Sequence, residues 1–310
     1  MLGVIIAVIA SALRLATPLI FASLGGVFSE RSGVVNIALE GIMINGAFFS
    51  ILTAKFTHLP WLGVLVAAIV GILTSLILAF LAIHLKADQV VTGVAINLLA
   101  ASLTSFLLEM VWHRSGQTDP IENAIRAKSI PLIDKIPIIG DLTSQLTPFV
   151  YLAILAVIVS YYVLYKTPFG LRVRAVGEHP RAADTVGINV YKIRYICVMI
   201  SGALAGIAGS ALSLGAISLF REGMTAGKGF IALAAMIFGK WHPVGALLAC
   251  LFFGFTEAIQ IQASTLGLGF IPSEFLQTIP YIATILALAG VVGRAVAPAA
   301  DGIPYEKGER

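Results

Sequence analysis

KTPFGLRVRAVGEHPRAADTVGINVYKIR, residues 166–194, separates an apolar run over 146–165 from another that begins at Tyr195. Inside it, PRAADTVG (180–187) reads as a short helix. Pro180 suits the first turn, where its missing N–H costs nothing, and Gly187 suits the left-handed position just past the end. Lys166, Arg172, Arg174, Arg181, Lys192 and Arg194 face only two acids, Glu178 and Asp184. A basic, helix-bearing loop between two apolar runs is expected in the cytoplasm, where a soluble protein can grip it.

Working outward, the composition explains why those runs are membrane spans. The chain is 58% hydrophobic and 12% charged, with a mean hydropathy of +0.96. An ordinary soluble domain carries roughly 25% charged residues. There is too little polar sequence to clothe a soluble core of 310 residues. The net charge of +4 is scattered among short loops with no stripe or aromatic platform, which argues against nucleic-acid binding. Cys197 and Cys250 lie inside apolar runs without metal-type spacing and are expected as small packing residues. The first apolar stretch has no basic residue ahead of it, so no cleavable signal peptide is expected.

A span needs about 20 apolar residues. On that measure the segments are 2–24, 34–53, 61–83, 90–112, 146–165, 195–219, a short one at 230–238, then 244–262 and 275–296. The expected fold is all-α and polytopic, with eight or nine membrane segments in one transmembrane domain over 1–310. It carries an extracellular insertion at 113–145 and the cytoplasmic loop at 166–194. Fixing that loop inside puts the amino terminus outside and the carboxy terminus inside. Arg31, Lys86, the loop cations, Lys240, Arg294, Lys307 and Arg310 then outnumber Lys55, Arg114, Arg126, Lys128, Lys135, Arg221 and Lys228 on the outside.

Two segments do not read as plain spans. The first contains Pro18 and Gly25-Gly26 and carries Arg14 part-way along. The seventh is short, led in by Gly223, Gly227 and Gly229 and stopped by Gly239 and Pro243. Broken or short segments in transporters line cavities, because freed backbone groups need water or protein partners. An IAL echo (37–39 and 231–233) hints at an inverted repeat. In the sixth segment Gly202, Gly206 and Gly209, with Ser201, Ala205 and Ser210, form a small-residue face for close helix packing.

Polar residues inside the spans are the candidate lining of a path: Asn36 and Glu40, one helical turn apart, with Asn97 and Glu257. Each also fits a packing role, and Arg14 fits either a structural ion pair or contact with a transported solute. GMTAGKG (223–229) superficially looks like a phosphate loop. It has one residue too few between its glycines and ends in Gly where Ser or Thr holds magnesium. ATP binding by this chain is therefore not expected. Nor is a cofactor, a metal site or an enzymatic activity, since no metal-spaced cluster or nucleophile elbow is present.

Three stretches together resemble one family: SERSGVVNIALEG (29–41), RVRAVGEHPRAADTVGI (172–188) and MTAGKGFIALAAMIFGKW (224–241). It is the inner-membrane permease family of bacterial ATP-binding-cassette (ABC) importers for simple sugars and nucleosides, and within it the shorter permease of nucleoside systems. The resemblance implies a ribose-permease-like helical fold in the bacterial plasma membrane. The partners it implies are a homologous second permease, a cytoplasmic ATPase with two nucleotide-binding domains and an extracellular binding lipoprotein. RAADTVG (181–187) follows the Ala-Ala and Gly spacing of the importer coupling motif EAA-x-x-x-G but has Arg181 in place of the acid. Glu178, Pro180, Arg181, Ala182, Ala183, Asp184 and Gly187 are thereby expected to couple to the ATPase. The competing reading is an ion-gradient-driven secondary transporter of a small polar solute, which leaves the helical basic loop without a purpose.

Overall fold

The computed structural model describes residues 2–127, 139–263 and 295–307, together with Phe275, Thr278 and Ile282. Among them the secondary structure is helical, and seven helices are long and apolar enough to cross a membrane. They are α1 (Leu2–Arg31), α2 (Leu39–Thr57), α3 (Pro60–Ala79, continued by a π-turn over Phe80–His84), α4 (Gln89–Trp112), α6 (Pro148–Lys166), α9 (Val190–Ser210, continued by a π-turn over Ala211–Ile217) and α11 (Pro243–Ile261). Shorter helices are α5 (Ile139–Thr143), α7 (Pro168–Glu178), α8 (Pro180–Thr185) and α10 (Lys228–Phe238). The chain is a multi-pass membrane protein. The expected ninth segment, 275–296, lies outside the described residues.

Helix starts follow local chemistry. Pro60, Pro148, Pro168, Pro180 and Pro243 all sit in first turns. Asp88 caps α4 by accepting from the Val90 and Val91 amides, each at 2.9 Å. Asn189 caps α9 through the Lys192 amide at 3.0 Å.

At the centre of the bundle α9 packs against α1, α2 and α3. The small-residue face expected on α9 is what lets it do so. A Cβ on Gly206 would collide with the Ala67 carbonyl, and one on Gly209 with the Met43 carbonyl. Gly202 meets Gly71 and Ser75 in the same way. Backbones at this separation gain dispersion contacts that larger residues would forbid. Cys197 and Cys250 are buried and unpaired, and the Cys250 thiol lies 3.3 Å from the Ser23 hydroxyl.

The structure moves the expected break. Pro18 and Gly25-Gly26 do not interrupt the first segment, since α1 runs unbroken from Leu2 to Arg31. Its glycines are contact points: a Cβ at Gly25 would sit 2.8 Å from the Ser201 carbonyl, and one at Gly26 2.8 Å from the Met236 sulfur. The real interruption falls at the start of the second segment, where residues 34–38 are non-helical and α2 begins only at Leu39. Gly33 ends the preceding turn at φ +89°, wedged against the Arg194 guanidinium and the Ala300 carbonyl. Asn36 therefore lies ahead of α2 and shares no helix face with Glu40. The IAL echo occupies different registers in its two copies, because Leu39 opens α2 whereas Ile231 is already a turn inside α10.

Candidate coupling and translocation site

Helix α10 is the element around which the polar residues assemble. Its 11 residues span about 16 Å, roughly half the hydrocarbon core. Both of its ends are held by the stretch 29–41. At the N-terminal end, Glu40 accepts from the Gly227 amide at 2.8 Å and the Gly229 amide at 2.6 Å. Those donors are orphaned by helix geometry, and an acid there also complements the helix dipole. The phosphate-loop look-alike does cradle an anion, and that anion is the chain's own carboxylate. At the C-terminal end, Lys240 and Trp241 adopt left-handed φ of +56° and +51°, a strained turn for residues with side chains. Trp241 donates its indole N–H to Glu30 at 2.6 Å, and Arg31 donates to the Trp241 carbonyl at 2.9 Å.

The irregular stretch 34–38 is sealed by partners on other helices. Asn97 donates to the Ile37 carbonyl at 3.0 Å and accepts from the Gly41 amide at 2.7 Å. Asn36 donates to the Ser201 hydroxyl at 2.8 Å, while its own carbonyl oxygen has no partner among the described residues. Glu257 pairs with Lys228 through both carboxylate oxygens, at 2.7 and 2.9 Å. The four residues expected to line a path are thus distributed: Asn36, Glu40 and Asn97 surround the break at the start of α2, and Glu257 stands on α11.

At one end of the bundle hangs the helical loop. Sequence reading found α8 but missed α7, whose start is signalled by Thr167-Pro168: the Thr167 hydroxyl accepts from the Gly170 amide at 3.2 Å. α7 lies close to the end of α1, for a Cβ on Gly177 would strike the Arg31 carbonyl. α8 presents Arg181, Ala182 and Thr185 outward, and the following Val186 is 74% exposed. Ala183, 3% exposed, faces inward among Val173, Val176 and Val190. The Ala-Ala pair is therefore split between surface and core. Gly187 takes the expected left-handed conformation at φ +84°.

The segment 295–307 docks under the same loop, a contact with no signal in the sequence. The Ala300 amide donates to the Gly177 carbonyl at 2.8 Å, and the Ala299 amide to the Glu178 carboxylate at 3.3 Å. Tyr305 is buried and hydrogen-bonds with Asp184 of α8. Arg194, counted above as a loop cation, is 1% exposed and donates to the Ile303 carbonyl at 3.0 Å. Lys86 and Glu306 form an ion pair.

Asp301 in this segment shares a hydrogen bond with Glu30 and lies near Arg194. Burial pushes its carboxyl up to about 6, against that hydrogen bond and the pull of Arg194. A carboxyl raised on folding stabilises the folded state most below its ordinary value of 3.8, and that contribution is lost progressively as pH rises from there through about 6. Asp301→Asn should accordingly leave thermal stability nearly unchanged at pH 3 and raise it at pH 7.5, measured as Tm on the purified protein.

A bundle of apolar helices enclosing a half-length helix, with a helical loop hung from one end, defines a polytopic permease. The chain matches the model of the branched-chain amino acid transport system/permease component family over residues 8–293, and it belongs to that family. It is 50% identical to the guanosine ABC transporter permease protein NupQ of Bacillus subtilis, over 98% of this chain and 97% of that one. It is 46% identical to the nucleoside ABC transporter permease protein NupC of Lactococcus lactis, over 97% and 96% of the two chains. A putative glucose ABC transporter permease protein of Haloferax volcanii is 35% identical over 90% and 89%. No solved structure matches significantly. The protein is the membrane-spanning permease subunit of an ABC importer and not itself an enzyme. Family membership sets aside the ion-gradient alternative.

Proposed function

We propose that this subunit forms half of the translocation path of a nucleoside importer, with α7 and α8 receiving the movement of a cytoplasmic ATPase. The observation that carries the reading is the outward face of α8, which leaves Ala182 and Val186 bare beside Arg181 while Ala183 and Asp184 anchor the helix to the bundle. A small apolar surface rimmed by a cation suits a groove on a soluble partner. The resemblance of the chain to guanosine and nucleoside permeases over nearly its whole length supports the substrate class. A second homologous permease and an extracellular binding protein complete the assembly.

In this reading the loop end lies in the cytoplasm with the carboxy terminus, and the amino terminus lies outside. Cysteines at Gln117 and Glu178, both exposed, test the orientation in a Cys197→Ala, Cys250→Ala background. In intact cells an impermeant thiol reagent should label the first, and only permeabilised cells should expose the second. The reverse pattern would overturn both the orientation and the coupling role. Function is tested by uptake: proteoliposomes holding the assembled importer should accumulate guanosine on ATP addition, and no uptake of any nucleoside would overturn the substrate assignment.

A further inference from the structure

A cavity of about 440 Å³ opens at the end of the bundle opposite the helical loop, between α1, the start of α6, the π-turn after α9 and the start of α10. That is the size of a small-molecule site. Three cationic side chains line it, Arg14, Arg126 and Lys228, and among the described residues no carboxylate does. Much of the remaining wall is aliphatic, from Leu15, Leu212 and Ile261.

Each cation arrives on a different element. Arg126 belongs to the insertion between α4 and α6, and the neighbouring Ile125 amide ties that stretch to the π-turn by donating to the Leu214 carbonyl at 3.1 Å. Lys228 opens α10, and its charge is matched by Glu257 of α11, which is not part of the lining. Arg14 stands about 18 Å along the roughly 45 Å of α1. Its one side-chain hydrogen bond among the described residues is to the Ser11 hydroxyl at 3.2 Å. Ser11 also accepts from the Gln262 side-chain amide at 2.7 Å, so both of its lone pairs are engaged and its own proton is left to donate. Neither arginine belongs to an ion pair among the described residues. Two uncompensated guanidinium groups beside aliphatic side chains and lipid are costly, and an anion is what relieves that cost.

We infer that this cavity is a binding site for the phosphate group of an anionic phospholipid from the leaflet on that side, with Arg14 and Arg126 clamping its oxygens and the Ser11 hydroxyl donating beside them. Guanidinium groups suit the task because their fork matches two phosphate oxygens at once. A free anion would use the cations alone. The aliphatic wall adds a surface for the glycerol and the first methylenes of the acyl chains, and a basic pocket between membrane helices is where such headgroups lodge. A phosphoglycerol headgroup carries no cation of its own, whereas choline or ethanolamine would bring a positive charge against three others. The site goes beyond the transport function proposed above and depends on it only for the leaflet, which is the outer one in that orientation.

The test uses the assembled importer, delipidated in detergent and titrated separately with phosphatidylglycerol, phosphatidylcholine and inorganic phosphate, with bound molecules read by native mass spectrometry. Arg14→Gln combined with Arg126→Gln should weaken retention of one phosphatidylglycerol about thirtyfold, at about fivefold for each cation removed. Arg14→Lys combined with Arg126→Lys keeps both charges and should weaken it less. Phosphatidylcholine should bind the parent and the glutamine variant alike. Equal retention of phosphatidylglycerol by parent and glutamine variant overturns the inference. Binding of inorganic phosphate without retention of phosphatidylglycerol would make this a site for a free anion and overturns it too. A second measurement needs no variant: phosphatidylglycerol carrying a diazirine beside its glycerol backbone should label residues 11–18 or 211–218, and unlabelled phosphatidylglycerol, but not phosphatidylcholine, should suppress the label. Label confined to other segments overturns the inference.

Discussion

Ala182→Glu combined with Val186→Glu should abolish transport-coupled ATP hydrolysis while the complex still inserts in the membrane and the isolated ATPase keeps its basal rate. Both side chains point away from the bundle, so the substitutions leave the permease core untouched. At a docked interface they would strand two carboxylates in a desolvated contact, and one buried unpaired charge there is worth several kcal/mol. A loss of coupling of a hundredfold or more is the expected scale. Ala183→Glu is the control with a different outcome. Ala183 packs among Val173, Val176 and Val190, so a carboxylate there should lower the yield of folded permease and leave no complex to couple. Copurification with the ATPase and substrate-stimulated hydrolysis distinguish the two. Normal coupling by the Ala182/Val186 variant would remove α8 as the docking element.

Glu40→Leu is expected to have the largest effect on stability. The substitution leaves the Gly227 and Gly229 amides without acceptors in a place where lipid supplies none. Hydrogen bonds to a charged group contribute about 1.5–3 kcal/mol each, so roughly 3 kcal/mol or more is lost. Glu40→Gln keeps the size and one acceptor oxygen but turns an NH₂ toward the other amide, and should fall between the leucine variant and the parent. Gly229→Ala should resemble the leucine variant, because its Cβ would meet the Glu40 backbone nitrogen and carboxylate at 2.5 and 2.8 Å. The checks are Tm and yield of purified complex, followed by uptake per complex. A Glu40→Leu protein that assembles and melts like the parent but transports poorly would show that Glu40 serves the path and does not hold the half-helix.

The long spans and the loop helix were legible because each is set by chemistry local in sequence. Twenty apolar residues in water-free surroundings have to close their own hydrogen bonds, whichever neighbours they meet. Pro180 and Gly187 mark α8 in the same local way, and Thr167-Pro168 marks α7 equally well once the side-chain cap is looked for. The small-residue face of α9 was legible too, since glycine and serine at helical spacing have few other purposes in a span.

Breaks were a different matter. Pro18, Gly25 and Gly26 announce an interruption by residue type, yet α1 is continuous. What Gly25 and Gly26 provide is clearance against Ser201 and Met236, which lie far away in the chain. The true break at 34–38 contains valines, an asparagine and an isoleucine, none of which forbids a helix. It persists because Asn97, Ser201 and Gln89, all from other helices, hydrogen-bond to that stretch.

By itself the sequence determined the helical membrane class, the number of the spans up to residue 263, and the helix in the loop. It also showed three motifs without saying what they do to one another. Only the tertiary structure decided that 29–41 and 224–241 are a single device, with Glu40 closing one end of α10 and Glu30 and Arg31 the other. The same folding tucked residues 295–307 beneath the loop and turned Arg14 toward a cavity. The physical reason is range. Backbone hydrogen bonding and burial in lipid act on each segment where it stands, whereas a carboxylate takes its role from whichever amide, indole or cation the fold carries to within about 3 Å of it.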